Sequence, residues 1–141
     1  MDKGIVVRIW VPLAGGLWAL GFLFVKGPGP HDGLRVVGLA IGLLGLAGVI
    51  LSRYTLGRSF SVGAKATALV TTGIYSRIRN PIYLTAMLFV IGVCLLVRIR
   101  YLWLLPVVVI PIQIIRARAE AGVLEAAFGD AYREYRRRTW F

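Results

Sequence analysis

Cysteine occurs once in the 141 residues, at Cys94, and histidine once, at His31. One thiol excludes a disulfide within the chain and a cysteine metal cluster, and Cys94, inside an apolar run, is expected to be a small core residue. His31 stands in the turn GPGPHDG with no His, Cys or Glu at ligand spacing, which excludes the common zinc patterns. Charge is scarce: 16% of residues are charged, against about 25% in soluble domains. Acids number only 6 against 17 bases. The apolar core of every long hydrophobic run lacks an acid, which argues against transport coupled through an intramembrane carboxylate. No strand leads into a glycine-rich turn and a helix, so a soluble nucleotide-binding α/β fold is excluded as well.

What remains is an apolar chain with a mean hydropathy of +0.77. Its length suits one domain, residues 1–141, and its composition is that of an all-α polytopic membrane protein. Four spans are expected. Ile5 to Val25 is interrupted only by Arg8, which can snorkel to the interface, and is long enough to cross about 30 Å of hydrocarbon. It begins after MDKG without a short apolar core and small-residue cleavage site, so a retained helix is expected and not a signal peptide. Leu34 to Leu51 follows the Gly-Pro turn, with Gly38, Gly42, Gly45 and Gly48 three or four apart along one helical face. Such a strip of missing side chains predicts close approach of another helix, a better account of GLLGLAG than a phosphate loop. Pro81 to Val97 and Tyr101 to Ile115 form a hairpin around RIR, the last span being short and carrying Pro106 and Pro111, where kinks are expected. From Arg116 onward the composition is helical, with Leu124, Phe128 and Tyr132 on one stripe expected to face protein or membrane surface.

The bases set the orientation. The connection from Ser52 to Asn80 holds Arg53, Arg58, Lys65, Arg77 and Arg79 without an acid, and the tail from Arg116 holds six more. The opposite turns hold Lys26, Arg35, Arg98 and Arg100. Both termini, the long connection and the tail are therefore expected in the cytoplasm. The positive excess flanks apolar spans, where it suits anionic lipid headgroups and leaves nucleic acid an improbable partner.

Within the connection, TTGIYSRIRNPIYLT crowds two tyrosines, two arginines and an Asn-Pro pair between apolar stretches. Pro81 fits the first position of a helix and Asn80 its cap, so the third span is expected to begin there with Asn80 accepting hydrogen bonds from free amides. Arg77 and Arg79 beside that positive helix end could hold a carboxylate or phosphate. Arg116 and Glu120, four apart, share a helix face on the same side of the membrane. Spacing alone leaves a plain surface ion pair open. Taken together, an anion site, a carboxylate for an ammonium, and Tyr75 and Tyr83 as flat walls would suit a zwitterionic ligand with an aromatic part.

The ordered run LGRSFS, LVTTGIYSRIRNPIY, a hydrophobic hairpin and RARAEAGVLEAAFGDAYREY resembles the superfamily of isoprenylcysteine carboxyl methyltransferases and phospholipid methyltransferases, over about Arg53 to Arg138. The resemblance implies S-adenosylmethionine as methyl donor, held in a cytoplasmic pocket closed by the C-terminal segment, and a lipophilic or lipid acceptor entering from the bilayer. Carried onto this sequence, Leu69, Val70, Tyr75, Asn80, Pro81 and Tyr83 match cofactor-contacting positions. Glu120 matches the glutamate that holds the cofactor, and Arg116 an arginine that orients the acceptor. Asn80 stands where the carboxyl methyltransferases have histidine, and Ala121 replaces the second acid of an E-E pair. If the acceptor is a carboxylate, Arg116 suits it through paired donors; if it is an amine, Glu120 is the nearest base. A small four-helix transporter, or an assembly subunit using YREYRRR to bind headgroups or a partner, stays open as an alternative. The sequence does not give the acceptor or the number of subunits.

Overall fold

The computed structural model describes residues 3–56 and 69–140, with side chains from Trp10 onward. Arg58, Lys65 and most of LGRSFS lie outside the described residues. Four helices follow one another: α1 (Lys3–Lys26), α2 (Gly33–Leu56), α3 (Pro81–Val97) and α4 (Leu104–Arg138). Short 3-10 turns at Gly73–Ser76 and Arg100–Trp103 lead into α3 and α4. The all-α expectation holds, and the helices stand where the four spans are expected. A helix satisfies its own backbone polar groups, which is what an apolar run in lipid must do. α2 and the stretch Arg100–Arg138 have the length and hydropathy to cross a membrane; α3, at 17 residues, and the apolar part of α1 are shorter.

The glycine strip on α2 does what its spacing predicts. α2 packs chiefly against α3, and a methyl group added at Gly45 would lie 2.3 Å from the Phe89 backbone nitrogen. At Gly38 it would lie 2.9 Å from the Leu96 nitrogen. α3 supplies the complementary gap at Gly92, where a methyl would lie 2.4 Å from the Gly42 nitrogen. Backbone therefore runs against backbone along this seam. Beside it, Leu20 of α1, Leu46 of α2, and Leu96 and Val97 of α3 form a buried cluster, flanked by Leu13, Phe24 and Phe89. Cys94 is fully buried, as expected.

One end of the bundle is tied by charge. Arg35, counted above among the turn bases, is completely buried. It donates to the carbonyls of Leu23, Gly27 and Gly29, gathering the end of α1 and the following turn. Asp32 pairs with Arg98 across the two turns. Both turns thus lie at one end, and the 3-10 turn before α3 lies at the other.

The kinks expected at Pro106 and Pro111 are not found, and the helix expected to leave the fourth apolar run is continuous with it. Helix α4 spans 35 residues, Leu104–Arg138, and runs without a break from Leu104 until Gly129. Pro106 falls in its first turn, where a missing donor costs nothing, and Pro111 is absorbed within regular helical angles. Tyr101 belongs to the preceding 3-10 turn and not to α4. At about 1.5 Å per residue the stretch of α4 before Gly129 alone extends over roughly 40 Å, so it outruns a hydrocarbon core of about 30 Å. Its first half exposes Leu104, Val107, Val108, Ile112 and Ile115, an apolar surface suited to lipid.

Candidate functional site

The site is assembled where α3 begins and α4 leaves its apolar half. Pro81 is the first residue of α3, as expected, but Asn80 makes no capping hydrogen bond with its side chain. Its backbone, at φ −121° and ψ 59°, does not deliver the amide to the first turn, and Asn80 lines a cleft beside α4 instead. Tyr83, one turn into α3, donates its hydroxyl to Glu120 Oε1 on α4 at 2.5 Å. Arg116, one turn earlier on α4, lies within reach of the same hydroxyl. The i, i+4 spacing that placed Arg116 and Glu120 on one face thus places both on Tyr83.

Tyr75, in the 3-10 turn, is buried. Burial raises the pKa of its hydroxyl above the ordinary tyrosine value, and the neighbouring Tyr135, Glu120 and Tyr83 push the same way. Tyr75, Tyr83, Arg116 and Glu120 therefore converge. Leu69 and Val70 are half-buried in the irregular chain before the turn, where no regular element fixes them.

The C-terminal segment closes over this region. Gly129 has φ 49° and ψ −120°, a backbone geometry that breaks α4 and turns its last part inward. Tyr132 and Tyr135 follow on the inward side, both buried. Tyr135 donates to the Tyr75 carbonyl at 2.8 Å. Its own hydroxyl pKa is pushed up to about 12, chiefly by burial, with Tyr132 adding to the rise and Arg79 opposing it. Farther on, the Trp140 amide donates to Arg77 O at 2.9 Å and the Arg79 amide to Trp140 O at 3.0 Å, a parallel bridge that seats the chain end on the turn.

Between the turn and α4 lies a cleft of about 590 Å³, within the range of about 300–1,000 Å³ common for small-molecule sites. Arg79, Asn80, Ala117, Ala121, Glu125 and Arg136 are among its walls. Ala121, in place of a second acid, contributes only a methyl group there. Glu125 is held by Arg133 at 3.0 Å and by Arg136 at 3.9 Å. Two polar atoms in this neighbourhood, Arg79 Nε and Tyr132 Oη, are buried without a hydrogen-bond partner among the described residues. The walls are basic and aliphatic, with Glu125 as their one acid, while Tyr83 and Glu120 meet beside them.

Sequence reasoning brought together Tyr75, Asn80, Tyr83, Arg116 and Glu120 but missed Tyr135, Trp140 and the break at Gly129. It placed Tyr132 on a continuous stripe with Leu124 and Phe128, whereas the turn at Gly129 sends Tyr132 into the interior. The available signal was the Gly followed by Tyr-x-x-Tyr in FGDAYREY. A family model described as phospholipid methyltransferase matches residues 34–131, well over half of the chain. No curated protein and no solved structure matches the chain significantly.

Proposed function

The chain belongs to the phospholipid methyltransferase family, and on that premise we propose that it transfers a methyl group from S-adenosylmethionine to a lipophilic acceptor at the membrane. The observation that carries this reading is the hydrogen bond from Tyr83 to Glu120, which joins residues 37 positions apart beside the cleft. The Tyr83 hydroxyl occupies one carboxylate oxygen and fixes its direction. A carboxylate held in this way suits an ammonium group of the ligand. Tyr75 and Tyr83 offer flat faces to an aromatic base, and the alanines Ala117 and Ala121 leave room beside them.

The cofactor, when bound, supplies a methyl group already activated by its positive sulfur. An in-line displacement then needs alignment and exclusion of water from the protein. The C-terminal segment, seated by Tyr135 and Trp140, supplies the exclusion. Arg116, beside Tyr83 yet exposed, suits the orienting of an acceptor. An isoprenylcysteine-like carboxylate would meet it through paired donors, and a lipid headgroup through its charge. The site faces the cytoplasm in this reading, on the side richer in bases.

Calorimetry of the purified protein with S-adenosylhomocysteine tests the proposal. Glu120→Gln keeps an acceptor for Tyr83 but loses the charge, and binding weakens about tenfold or more; Tyr83→Phe, which frees the carboxylate to wander, has an effect in the same direction. A folded wild-type protein that takes up neither this compound nor S-adenosylmethionine refutes the reading. Labelled S-adenosylmethionine incubated with total membrane lipids and lipophilic acids, followed by mass spectrometry, identifies the acceptor.

A further inference from the structure

Tyr132 is fully buried, and its hydroxyl has no hydrogen-bond partner among the described residues. A buried donor left unmade is costly, so its persistence calls for a reason. Arg79 shows the same feature at Nε. Its side chain is anchored beside the cleft, because its own amide is held by the Trp140 carbonyl. Arg136 and Arg118 line the same cleft, opposed by Glu125 alone among its walls, and Glu125 is already shared with Arg133. The sequence suggested an anion site from Arg77 and Arg79 together. In the structure the two part company, Arg77 exposed and Arg79 turned inward.

We infer that Arg79 and Arg136, which line the cleft, and the buried Tyr132 form an oxyanion subsite beside it, taking a carboxylate or phosphate group of a bound molecule. The inference rests on the methyl-donor reading above and extends it, since it supplies the positive counterpart to the Glu120 carboxylate. The ligand chemistry follows from the donors. Guanidiniums only donate and a phenol hydroxyl can donate, while the one acid among the cleft walls, Glu125, is already shared with Arg133 and Arg136, so these donors favour an anion over a cation. The groups acting most strongly on the Tyr132 hydroxyl after burial are Arg79 and Arg136. Burial keeps the phenol protonated, hence a donor, at neutral pH. The oxyanion has two sources with the same chemistry: the carboxylate of the methyl donor's amino-acid tail, or the phosphate of a lipid.

Two ligand pairs titrated calorimetrically into the full chain in a phosphate-free sugar detergent separate them. The first pair is S-adenosylhomocysteine and its decarboxylated analogue. The second is dihexanoyl phosphatidic acid and dihexanoylglycerol. In one pair the anionic member binds wild type about tenfold tighter, as expected of a hydrogen bond to a charged group. That preference drops below about threefold in Tyr132→Phe and in Arg79→Gln. Preference in the first pair assigns the carboxylate, in the second the phosphate. Thermal unfolding without ligand adds a readout that a structural hydroxyl would move the other way: Tyr132→Phe unfolds at the wild-type temperature or above, because it removes only an unsatisfied oxygen. The subsite is overturned if neither pair shows a preference, if the preference survives both substitutions, or if Tyr132→Phe lowers the ligand-free midpoint. S-adenosylhomocysteine binding without any such preference leaves the methyl-donor reading standing and removes the subsite. A phosphate preference in a protein that binds neither nucleoside does the reverse.

Discussion

The Arg35 guanidinium donates at 2.6 Å to Leu23 O, 2.8 Å to Gly27 O and 2.8 Å to Gly29 O. These carbonyls belong to the end of α1 and its turn, where the helix dipole is negative. A buried cation there is matched by oriented dipoles and needs no acid. Arg35→Leu is expected to destabilise the protein by at least about 3 kcal/mol, because three carbonyls lose a charged donor. Arg35→Lys recovers only part of that loss, since one ammonium cannot reproduce the planar fork. Unfolding in mixed detergent micelles measures both, and a leucine variant as stable as wild type would contradict the assignment. The neighbouring Asp32–Arg98 pair is largely solvated, so Asp32→Asn should change stability little. Arg35 and Arg98 are alike in sequence, two turn bases, and no local pattern distinguishes the clamp from the surface pair. Asn80 teaches the same lesson: its place before Pro81 was legible, whereas the direction of its amide depends on φ and ψ set by the turn.

Among the helices, the α2–α3 seam was readable because four glycines at helical spacing leave a pattern that survives without coordinates. Gly92 left none, being a single glycine in an apolar run. Gly45→Ala and Gly92→Ala would each push a methyl into backbone of the facing helix. Alanine's better helix propensity returns up to about 1 kcal/mol. Overpacking that no side chain can relieve exceeds it, and a net loss of about 1–3 kcal/mol is expected. Gly15→Ala and Gly21→Ala serve as controls. Nothing lies within 4 Å of their added methyl groups, so propensity acts alone and stability rises by up to about 1 kcal/mol. Thermal unfolding of the four variants checks the opposite signs. The C-terminal strap answers to alkali instead. The Tyr135 hydroxyl has its pKa raised to about 12 in the folded chain, above the unfolded value of about 10. Its contribution is fully present below pH 10 and is lost as pH rises through about 12. The wild-type thermal midpoint should fall across that window more steeply than the midpoint of Tyr135→Phe. Parallel curves for the two proteins would place Tyr135 outside the strap.

For the molecule as a whole, hydropathy recorded where the apolar surface ends, near Ile115, but not where the helix ends. Ala, Arg, Glu and Leu after Ile115 are strong helix formers, and hydrogen bonds continue through them regardless of the change of solvent. The break waits for Gly129, where a positive φ becomes available. One rigid rod therefore carries the apolar half of α4 and the candidate site together, and Tyr83 and Glu120 keep their register through it. The two ends of the bundle also differ in charge. Arg35 is enclosed and Arg98 is neutralised by Asp32 at one end, while Arg116, Arg118, Arg133, Arg136, Arg137 and Arg138 crowd the other. The tail bases are partly paired as well, with Glu125, Asp130 and Glu134, so the bias that orients spans in a membrane rests on the count of bases. His31 is exposed at the first end and Asp130, with its side chain 96% exposed, at the second. Cys94 is buried and should stay silent toward a membrane-impermeant maleimide. In sealed vesicles of known orientation, His31→Cys is expected to label only from the outer face and Asp130→Cys only from the cytoplasmic face. Labelling of both from one face would put the two turns and the C-terminal segment on the same side and overturn the reading of the four helices as spans.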